Sequence, residues 1–115
     1  MVQIRKFDTL LVNLNPTKGS EQSGIRPCVV IQNDYANKYA KTFVVSIISS
    51  VIKNYPHTFI INSSEENGLK TRSRIDFLQT RTVDQGRIIK KLGFLNYELR
   101  EEFNMKIKVA FAVVD

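Results

Sequence analysis

The sequence is poor in the residues that build metal centres and covalent cross-links. It contains one cysteine, Cys28, and one histidine, His57. A lone cysteine cannot form an internal disulfide, and one cysteine with one histidine supplies too few ligands for a structural zinc site. We therefore predict a fold without metal or cofactor. Cys28 is followed by a short apolar run and is expected to pack as a small hydrophobic side chain.

Long apolar runs are also missing from the chain. No stretch approaches the roughly 20 apolar residues that span a bilayer, and the N-terminal segment MVQIRKFD lacks the apolar core of a signal peptide. We therefore expect a cytoplasmic protein that does not enter a membrane. The length of 115 residues, 43% of them apolar, suits one packed core and is short for two. Residues 1–115 are expected to form a single domain.

Acidic residues are outnumbered by basic ones. Seventeen lysines and arginines face eleven aspartates and glutamates, which leaves a formal net charge of +6. Such a balance favours a polyanionic partner, and nucleic acid is the natural candidate. It is equally compatible with a basic protein that binds no nucleic acid, so charge alone does not choose between the two.

Short apolar segments rich in β-branched residues predict a mainly β fold with added helices. Strands are predicted over residues 7–14, 27–32, 42–48, 57–62, 74–79 and 86–94. In the fifth of these, polar and apolar positions alternate. This alternation places Arg74, Asp76 and Leu78 on one face of the strand, and Ile75 and Phe77 on the other.

Helical patterns appear in three places. A helical turn is predicted within residues 33–41, and a short helix over 63–69, where a serine N-cap, two acidic residues and a glycine stop follow in order. From residue 96 the apolar positions recur at helical spacing, which predicts an amphipathic C-terminal helix packed on the sheet. Its apolar face comprises Leu99, Phe103, Ile107, Ala110, Phe111 and Val114. Residues 111–115 fit a terminal strand equally well.

A long loop separates the first two predicted strands. Residues 15–27 hold two glycines, two prolines and several small polar residues without any period. Loops of this length in small domains usually carry function.

This loop and its flanks carry a resemblance to a known family. Residues 12–34, VNLNPTKGSEQSGIRPCVVIQND, resemble the N-terminal signature of the MazF/Kid/PemK toxins. Further matches follow in the same order at VVSIISS, at RIDFLQTRTVD and in the terminal helix, so the resemblance covers nearly the whole chain. It implies an α+β fold, a small SH3-like β-barrel with a C-terminal amphipathic helix.

The resemblance also implies a function. Members of this family are homodimeric toxins that cut single-stranded mRNA at short sequences without metal, leaving a 2′,3′-cyclic phosphate and a 5′-hydroxyl. A cognate antitoxin is implied as well. The basic charge of this chain favours an antitoxin that is acidic and partly disordered, because such a segment can wrap a basic cleft and exclude RNA.

RNA cleavage of this kind places three demands on a site. The ribose 2′-hydroxyl must lose a proton, negative charge at phosphorus must be stabilised, and the departing 5′-oxygen must be stabilised or protonated. The resemblance makes Arg26 the predicted phosphate-stabilising residue, and Pro27 restricts the backbone before it and so helps direct the guanidinium. The alternative is an ordinary loop arginine that contacts a carboxylate such as Glu21.

The resemblance places further catalytic residues at Arg74, Asp76 and Ser49. Arginine holds its proton tightly, so we assign Arg74 electrostatic stabilisation before proton donation. Asp76 serves as a base or proton relay, or orients the reacting groups. Ser49 stands where the family usually has threonine, and Ser50 is a close competitor for that role. A surface ion pair between Arg74 and Asp76, and strand-end hydroxyls bonded to local backbone, are the structural alternatives.

One departure from the family concerns the proton carrier. Some relatives have histidine where this chain has Ser20, and His57 is not expected to replace it. The sequence therefore favours a site of arginine, hydroxyl and carboxylate groups.

Contacts with RNA are predicted mainly from the loop and from the basic residues. Arg72, Arg87 and Tyr35 are further candidates, the last for base stacking. Phe77 is a further stacking candidate, although packing in the core is the more expected place for it. The predicted RNA-binding residues are Lys18, Gly19, Ser20, Glu21, Gln22, Ser50, Phe77 and Arg81.

Two other functions fit a chain of this size and charge. A gyrase-poisoning toxin of the CcdB type has a similar fold, but its poisoning tail relies on a tryptophan near the C-terminus, and this chain has no tryptophan. A non-catalytic SH3-like module that binds RNA through its positive charge is the second alternative. The set of Arg26, Ser49, Arg74 and Asp76 argues against that second alternative.

Overall fold

The fold is seen in a computed structural model that describes residues 3–19, 21 and 23–113. Within these residues the chain forms six strands and two α-helices. The strands are β1 (Asp8–Asn13), β2 (Ile25–Val30), β3 (Thr42–Ser49), β4 (Thr58–Ile61), β5 (Ser73–Asp84) and β6 (Ile88–Phe94). The helices are α1 (Asp34–Tyr39) and α2 (Arg100–Ala110), and short 3₁₀ turns occupy Gln85–Arg87 and Tyr97–Leu99.

All six strands join one antiparallel sheet in the order β4-β5-β3-β2-β1-β6. The predicted mainly β fold with a C-terminal helix is confirmed. The sheet is not closed, because β4 and β6 stand at its two ends, so the barrel implied by the resemblance is an open one here. β2 begins earlier than predicted, which places Arg26 inside a strand and not at the end of the loop.

Each face of the sheet carries its own apolar cluster, as the period of two along a strand requires. One cluster is formed by Ile4, Leu10, Val12, Leu14, Cys28, Val30, Phe43, Val45, Ile47 and Val83. The other lies under α2 and comprises Val29, Ile48, Phe59, Ile61, Ile75, Phe77, Leu95 and Phe103. Phe103 meets both Phe7 and Phe77 edge to face, with ring centroids 5.2 Å apart in each pair.

The predicted apolar face of α2 is largely confirmed. Phe103 is buried, and Leu99, Ile107 and Ala110 pack against the second cluster. Phe111 departs from the prediction, since it lies beyond the last helical turn and is 47% exposed. Residues 111–113 do not form the alternative strand. Val114 and the rest of that alternative lie outside the described residues.

The helix predicted over residues 63–69 is wrong, because the segment forms a turn around Asn67. The buried Asn67 side chain accepts from Ser64 N at 3.1 Å and from Leu69 N at 3.0 Å, and it donates to Asn62 O at 2.9 Å. These bonds satisfy backbone groups that a helix would otherwise pair, so the side chain outcompetes the helix. By contrast, the turn predicted within 33–41 is confirmed as α1, whose N-cap Asn33 accepts from Ala36 N at 2.9 Å.

β5 is twice as long as predicted and contains a bulge. Ile47 of β3 pairs with Asp76, but the preceding Ser46 pairs with Thr80, which leaves residues 77–79 as extra. After the bulge, the side chain of Val83 belongs to the first apolar cluster.

None of the described helices is long and apolar enough to cross a membrane.

Candidate active site

Two of the predicted catalytic residues are direct neighbours across the sheet. Ser49 of β3 pairs with Arg74 of β5. Asp76 pairs with Ile47, two residues along the same strands. Directly opposed residues of an antiparallel pair share a face, so the two side chains project to the same side as Asp76.

Arg74 is a buried cation with unused hydrogen-bonding capacity. The residue is 7% exposed, and its Nη2 lies 3.8 Å from Asp76 Oδ2. That distance is within the range of an ion pair but is too long for a hydrogen bond. Arg74 Nε is buried and has no hydrogen-bond partner among the described residues. Buried donors are normally paired, so this guanidinium is suited to receive an anion with several acceptor oxygens.

Ser49, the strand partner of Arg74, is also buried. Its Oγ accepts a hydrogen bond from Val51 N at 3.2 Å. This bond uses a lone pair of the oxygen, and the hydroxyl keeps its own hydrogen for donation to another acceptor.

Arg26 lies on the neighbouring strand at the same level. Cys28 of β2 pairs with Ile47 of β3, and extending this register by two residues places Arg26 opposite Ser49. Arg26 is half-buried, and its Nε donates to Ser23 O at 3.0 Å. The sheet thus brings Arg26, Ser49 and Arg74 into one row across three adjacent strands. We call these residues, with Asp76, the arginine row.

The contact of Arg26 with Glu21 that the sequence left open does not form. Glu21 Oε2 instead lies 3.8 Å from Nη1 of Arg81. The same Arg81 atom donates to Leu14 O at 3.2 Å. Arg81 therefore lies at the foot of the long loop, where it is partly neutralised.

The other predicted RNA-binding residues fall in different places. Lys18, Gly19 and Glu21 lie in the exposed part of the loop, where Gly19 has a positive φ of 60°. Ser20 and Gln22 lie outside the described residues. Ser50 is exposed but follows Ser49 directly along the chain, so its side chain projects to the opposite face of the sheet.

The prediction that Phe77 contacts RNA is wrong. Its side chain is fully buried and packs edge to face against Phe103. A base could stack on this ring only if the core opened, which is costly for a fully buried aromatic residue. Tyr35, the other candidate for stacking, is 83% exposed on α1.

Cys28 and His57 are two further residues with side chains that could act in catalysis. Cys28 lies two residues after Arg26 on β2, and His57 directly precedes Thr58, which pairs with Asp76. Burial raises the pKa of the Cys28 thiol to about 12, against a smaller opposing effect of Arg81. Cys28 is therefore a packing residue, as predicted, and a poor nucleophile. The His57 ring stacks on Tyr55, with centroids 5.2 Å apart. Among the described residues, no group of histidine, cysteine and acidic side chains is arranged to hold a metal ion.

Sequence reasoning missed how the foot of the loop is held. Arg87, expected to approach phosphates, donates from Nη1 to Asn13 O at 3.2 Å and also to Asn15 O. The Asn15 side chain in turn accepts from Gly24 N at 3.0 Å. Arg87 and Asn15 lie 72 positions apart, so no local sequence signal could have shown this contact.

An open cavity of about 330 Å³ lies on the opposite face, between β6 and the segment after β4. Its lining is mostly apolar and includes the basic residues Arg26, Lys70 and Lys90. Ile25, which also lines the cavity, is 57% exposed. The lining residues are Leu11, Ile25, Arg26, Pro27, Ile48, Ser50, Gly68, Leu69, Lys70, Thr71, Ser73, Lys90 and Leu92.

The sequence was compared with known families and proteins. The profile of the family described as "PemK-like, MazF-like toxin of type II toxin-antitoxin system" matches residues 5–111. The chain is 37% identical to Endoribonuclease MazF of Staphylococcus saprophyticus, over 96% of this chain and 92% of that protein. It is 30% identical to Endoribonuclease EndoA of Bacillus subtilis, over 97% of each.

Solved structures share the fold at lower identity. MazF of Deinococcus radiodurans is similar with a TM-score of 0.82 at 18% identity, covering 98% of this chain and 100% of that one. An endoribonuclease in complex with its cognate antitoxin, from a mycobacterial species, gives 0.81 at 12% identity, with 97% and 98% covered. The fold is thus shared with solved chains of similar length.

Proposed function

The chain belongs to the family of PemK-like, MazF-like toxins of type II toxin-antitoxin systems, and we propose that this endoribonuclease cuts single-stranded mRNA without a metal ion. The ribose 2′-hydroxyl attacks the adjacent phosphorus at short, specific sequences. The products are a 2′,3′-cyclic phosphate and a 5′-hydroxyl. Both curated relatives named above are endoribonucleases, which supports RNA as the substrate.

The observation that carries this proposal is the arginine row. With the register of β2 and β3 extended by two residues, the backbones of Arg26, Ser49 and Arg74 lie in a row across three adjacent strands, and Arg74 Nε is buried with no hydrogen-bond partner among the described residues. A phosphodiester has non-bridging oxygens that accept hydrogen bonds from such donors. It would also compensate the buried charge, which Asp76 does only at 3.8 Å.

Each member of the row has a chemical task in this proposal. Arg74 and Arg26 stabilise the charge that builds on the phosphorane oxygens, and Ser49 donates its hydroxyl hydrogen to one of them. Asp76 accepts a hydrogen bond from the 2′-hydroxyl and orients it for attack, or takes its proton. The 2′-oxygen to phosphorus bond forms as the bond from phosphorus to the 5′-oxygen breaks. The proton of the 2′-hydroxyl passes to Asp76 or to solvent water, and the departing 5′-oxygen takes a proton from solvent water.

Single-stranded RNA suits the rest of the surface. Lys18 and Arg81 attract the phosphate backbone, while Gly19 lets the loop bend toward it. Ser20, Glu21 and Gln22 on the same loop are proposed to meet the bases, because only unpaired bases present their edges to such a loop. Tyr35 is the proposed stacking residue in place of Phe77.

Two protein partners are proposed. One is an acidic, partly disordered antitoxin that competes with RNA for the basic residues around Arg26. Complexes with antitoxin are known for the mycobacterial endoribonuclease and for MazF of Deinococcus radiodurans. The other partner is a second copy of the chain. The exposed Ile25 beside the apolar cavity supports such a contact, and mass measurement in solution with Ile25→Lys as the variant tests it.

The proposal is tested by incubating purified protein with a long single-stranded RNA in excess EDTA and identifying the fragment ends. We expect fragments with a cyclic phosphate and a 5′-hydroxyl. The Arg26→Ala and Arg74→Ala variants, checked for folding by circular dichroism, should not produce them. Intact RNA with the unaltered protein would overturn the proposal.

A second substrate separates catalysis from mere RNA binding. Once the cleavage position is known, a short RNA is made with a single 2′-deoxyribose there. We expect the protein to bind this RNA and leave it intact, because the nucleophile is missing. Cleavage of the deoxy-substituted RNA at that position would rule out attack by the 2′-hydroxyl, whereas RNA that is bound but not cut in the first experiment would identify a non-catalytic RNA-binding module.

A further inference from the structure

Two arginines that are distant in sequence, one in β5 and one in the turn after it, hold the start of the loop that precedes Arg26. Arg81 Nη1 donates to Leu14 O at 3.2 Å. Arg87 Nη1 donates to Asn13 O at 3.2 Å and to Asn15 O. Three successive carbonyls are therefore held by charged donors, which form stronger hydrogen bonds than neutral ones. We call residues 13–15, with Gly24 facing them, the loop neck.

Both backbone groups of Gly24 are held across the loop neck. Leu14 N donates to Gly24 O at 2.9 Å, and Gly24 N donates to the Asn15 side chain, Oδ1, at 3.0 Å. Gly24 has a φ of +83°, a conformation that residues with a side chain rarely adopt. The clamp therefore fixes an unusual backbone turn immediately before β2.

This turn fixes the position of the carbonyl group that accepts a hydrogen bond from the Arg26 side chain. Ser23 precedes Gly24, and Ser23 O accepts from Arg26 Nε at 3.0 Å. The contacts thus run from Asn15 through Gly24 and Ser23 to the Arg26 guanidinium. Arg26 itself pairs with Val12 on β1, so the strand fixes its backbone while the turn fixes its head group.

We propose that Asn15 is a positioning residue for cleavage, which acts by holding the Gly24 turn so that Ser23 O directs the Arg26 guanidinium toward Ser49 and Arg74. The inference rests on the proposed function. Arg87 supports it by holding the Asn15 carbonyl. A long arginine side chain has many rotamers, and confining it before substrate arrives removes an entropic cost from the transition state.

The first experiment separates kcat from KM. Asn15→Ala removes the acceptor for Gly24 N and should lower kcat between 10- and 100-fold, about the penalty for a misplaced catalytic group, while KM changes little. Asn15→Asp keeps an acceptor oxygen at the same place and should recover most of kcat, although its negative charge will raise KM for RNA. Asn104→Ala is the matched control, because it removes an exposed asparagine acceptor on α2 far from the loop.

The second experiment asks whether Asn15 acts through Arg26. Arg26→Lys keeps the charge but lacks the planar fork that Ser23 O holds. If Asn15 positions the guanidinium, adding Asn15→Ala to Arg26→Lys should cost less than 2-fold in kcat, far below its cost in the unaltered protein. Equal losses in the two backgrounds would overturn the inference.

A third measurement does not depend on activity. Hydrogen exchange of the Gly24 amide should be slow in the unaltered protein and fast in Asn15→Ala, with the core strands equally protected in both. Fast exchange at Gly24 in the unaltered protein would show that the clamp does not form. If the unaltered protein cuts no RNA, the proposed function fails. If it cuts RNA and Asn15→Ala keeps the full kcat, only the positioning role fails.

Discussion

Arg74 and Asp76 lie two residues apart on β5 with Nη2 and Oδ2 separated by 3.8 Å, so the carboxylate balances the charge of the guanidinium without closing a hydrogen bond to it. Arg74 is buried, and no group in the described part of the chain accepts a hydrogen bond from its Nε. This arrangement leaves hydrogen-bond donors of Arg74 without acceptors in the described part of the protein, and a bound phosphate would supply those acceptors. It also distinguishes this pair from an exposed ion pair on the surface, which the sequence alone allowed.

Changing either partner should therefore lower kcat, and changing Asp76 should also lower the stability of the fold. Arg74→Ala is expected to lower kcat by about 100-fold or more, the usual cost of losing a donor to the transition state. Asp76→Asn should lower kcat and also reduce the free energy of unfolding by about 2 kcal/mol, because it leaves the buried Arg74 charge uncompensated. Cleavage rates and urea unfolding of both variants check this. An unchanged rate for Arg74→Ala would remove this residue from the site.

Ser49 should be replaceable by threonine but not by alanine. Ser49→Ala loses the donor to phosphate and the acceptor for Val51 N. We expect about a 10-fold loss of kcat and about 1 kcal/mol of stability. Ser49→Thr should retain activity, and Ser50→Ala should change kcat less than Ser49→Ala, because Ser50 projects to the other face. Equal effects at the two serines would contradict the assignment.

Cys28 should be inert in the folded protein. Because burial raises the pKa of its thiol to about 12, almost no thiolate is present at neutral pH, and the thiol has no access to solvent. A disulfide reagent such as Ellman's reagent should label it only in guanidinium chloride. Stoichiometric labelling under native conditions, faster than global unfolding, would contradict this.

Gly93 should tolerate no side chain, since a Cβ there would lie 1.9 Å from Glu66 O. That carbonyl also accepts from Phe94 N at 2.8 Å and cannot move away freely. We expect Gly93→Ala to lower the free energy of unfolding by about 1–3 kcal/mol. Gly86→Ala is the matched control, because its Cβ would meet only the side-chain oxygen of Asp84 at 3.0 Å. Thermal unfolding of the two variants makes the comparison, and equal melting temperatures would speak against the close contact.

Asp34 should make stability depend on pH in the acidic range. Its pKa is lowered from the ordinary value of 3.8, chiefly because Lys6 N donates to its carboxylate at 2.7 Å and also because Asn37 donates to it. Because the pKa of Asp34 is lower in the folded protein than in the unfolded chain, its charged carboxylate stabilises the fold at pH values above the unfolded pKa. This stabilisation is lost as the pH falls through the pKa of the folded protein. Asp34→Asn should thus be less stable at neutral pH, and the difference should vanish well below pH 3.8. Urea unfolding midpoints across that range measure it. A constant difference would show that the carboxylate charge is not responsible.

The elements that local patterns predicted correctly are those whose residues agree with their surroundings. Each of the six strands is marked by β-branched residues, and α2 by its apolar spacing, so propensity and packing act in the same direction. The exception is the segment around Asn67, which carries a good helix signature. There the buried Asn67 side chain bonds to the backbone of its own turn, and Thr9 Oγ1 of the distant strand β1 donates to Asn67 O at 2.8 Å.

For the site, residue chemistry was easier to predict than placement. The alternation along β5 correctly placed Arg74 and Asp76 together, because side chains two apart on a strand share a face. The same alternation placed Phe77 on the other face, but only the position of α2 shows that this face is sealed. The role of Arg87 could not be anticipated, since an arginine can meet a phosphate or a carbonyl equally well.

By itself, the sequence determined the six strands and the helices α1 and α2, though not their exact bounds, together with the basic charge and the supply of guanidinium, hydroxyl and carboxylate groups, because these depend mainly on each residue and its near neighbours. Only the tertiary structure decided that Ser49 faces Arg74, that the sheet stays open, and that Asn15 and Arg87 clamp the loop before Arg26. The reason is physical: strand register and the pairing of distant groups arise from long-range packing, where a shift of one residue would turn every side chain to the opposite face.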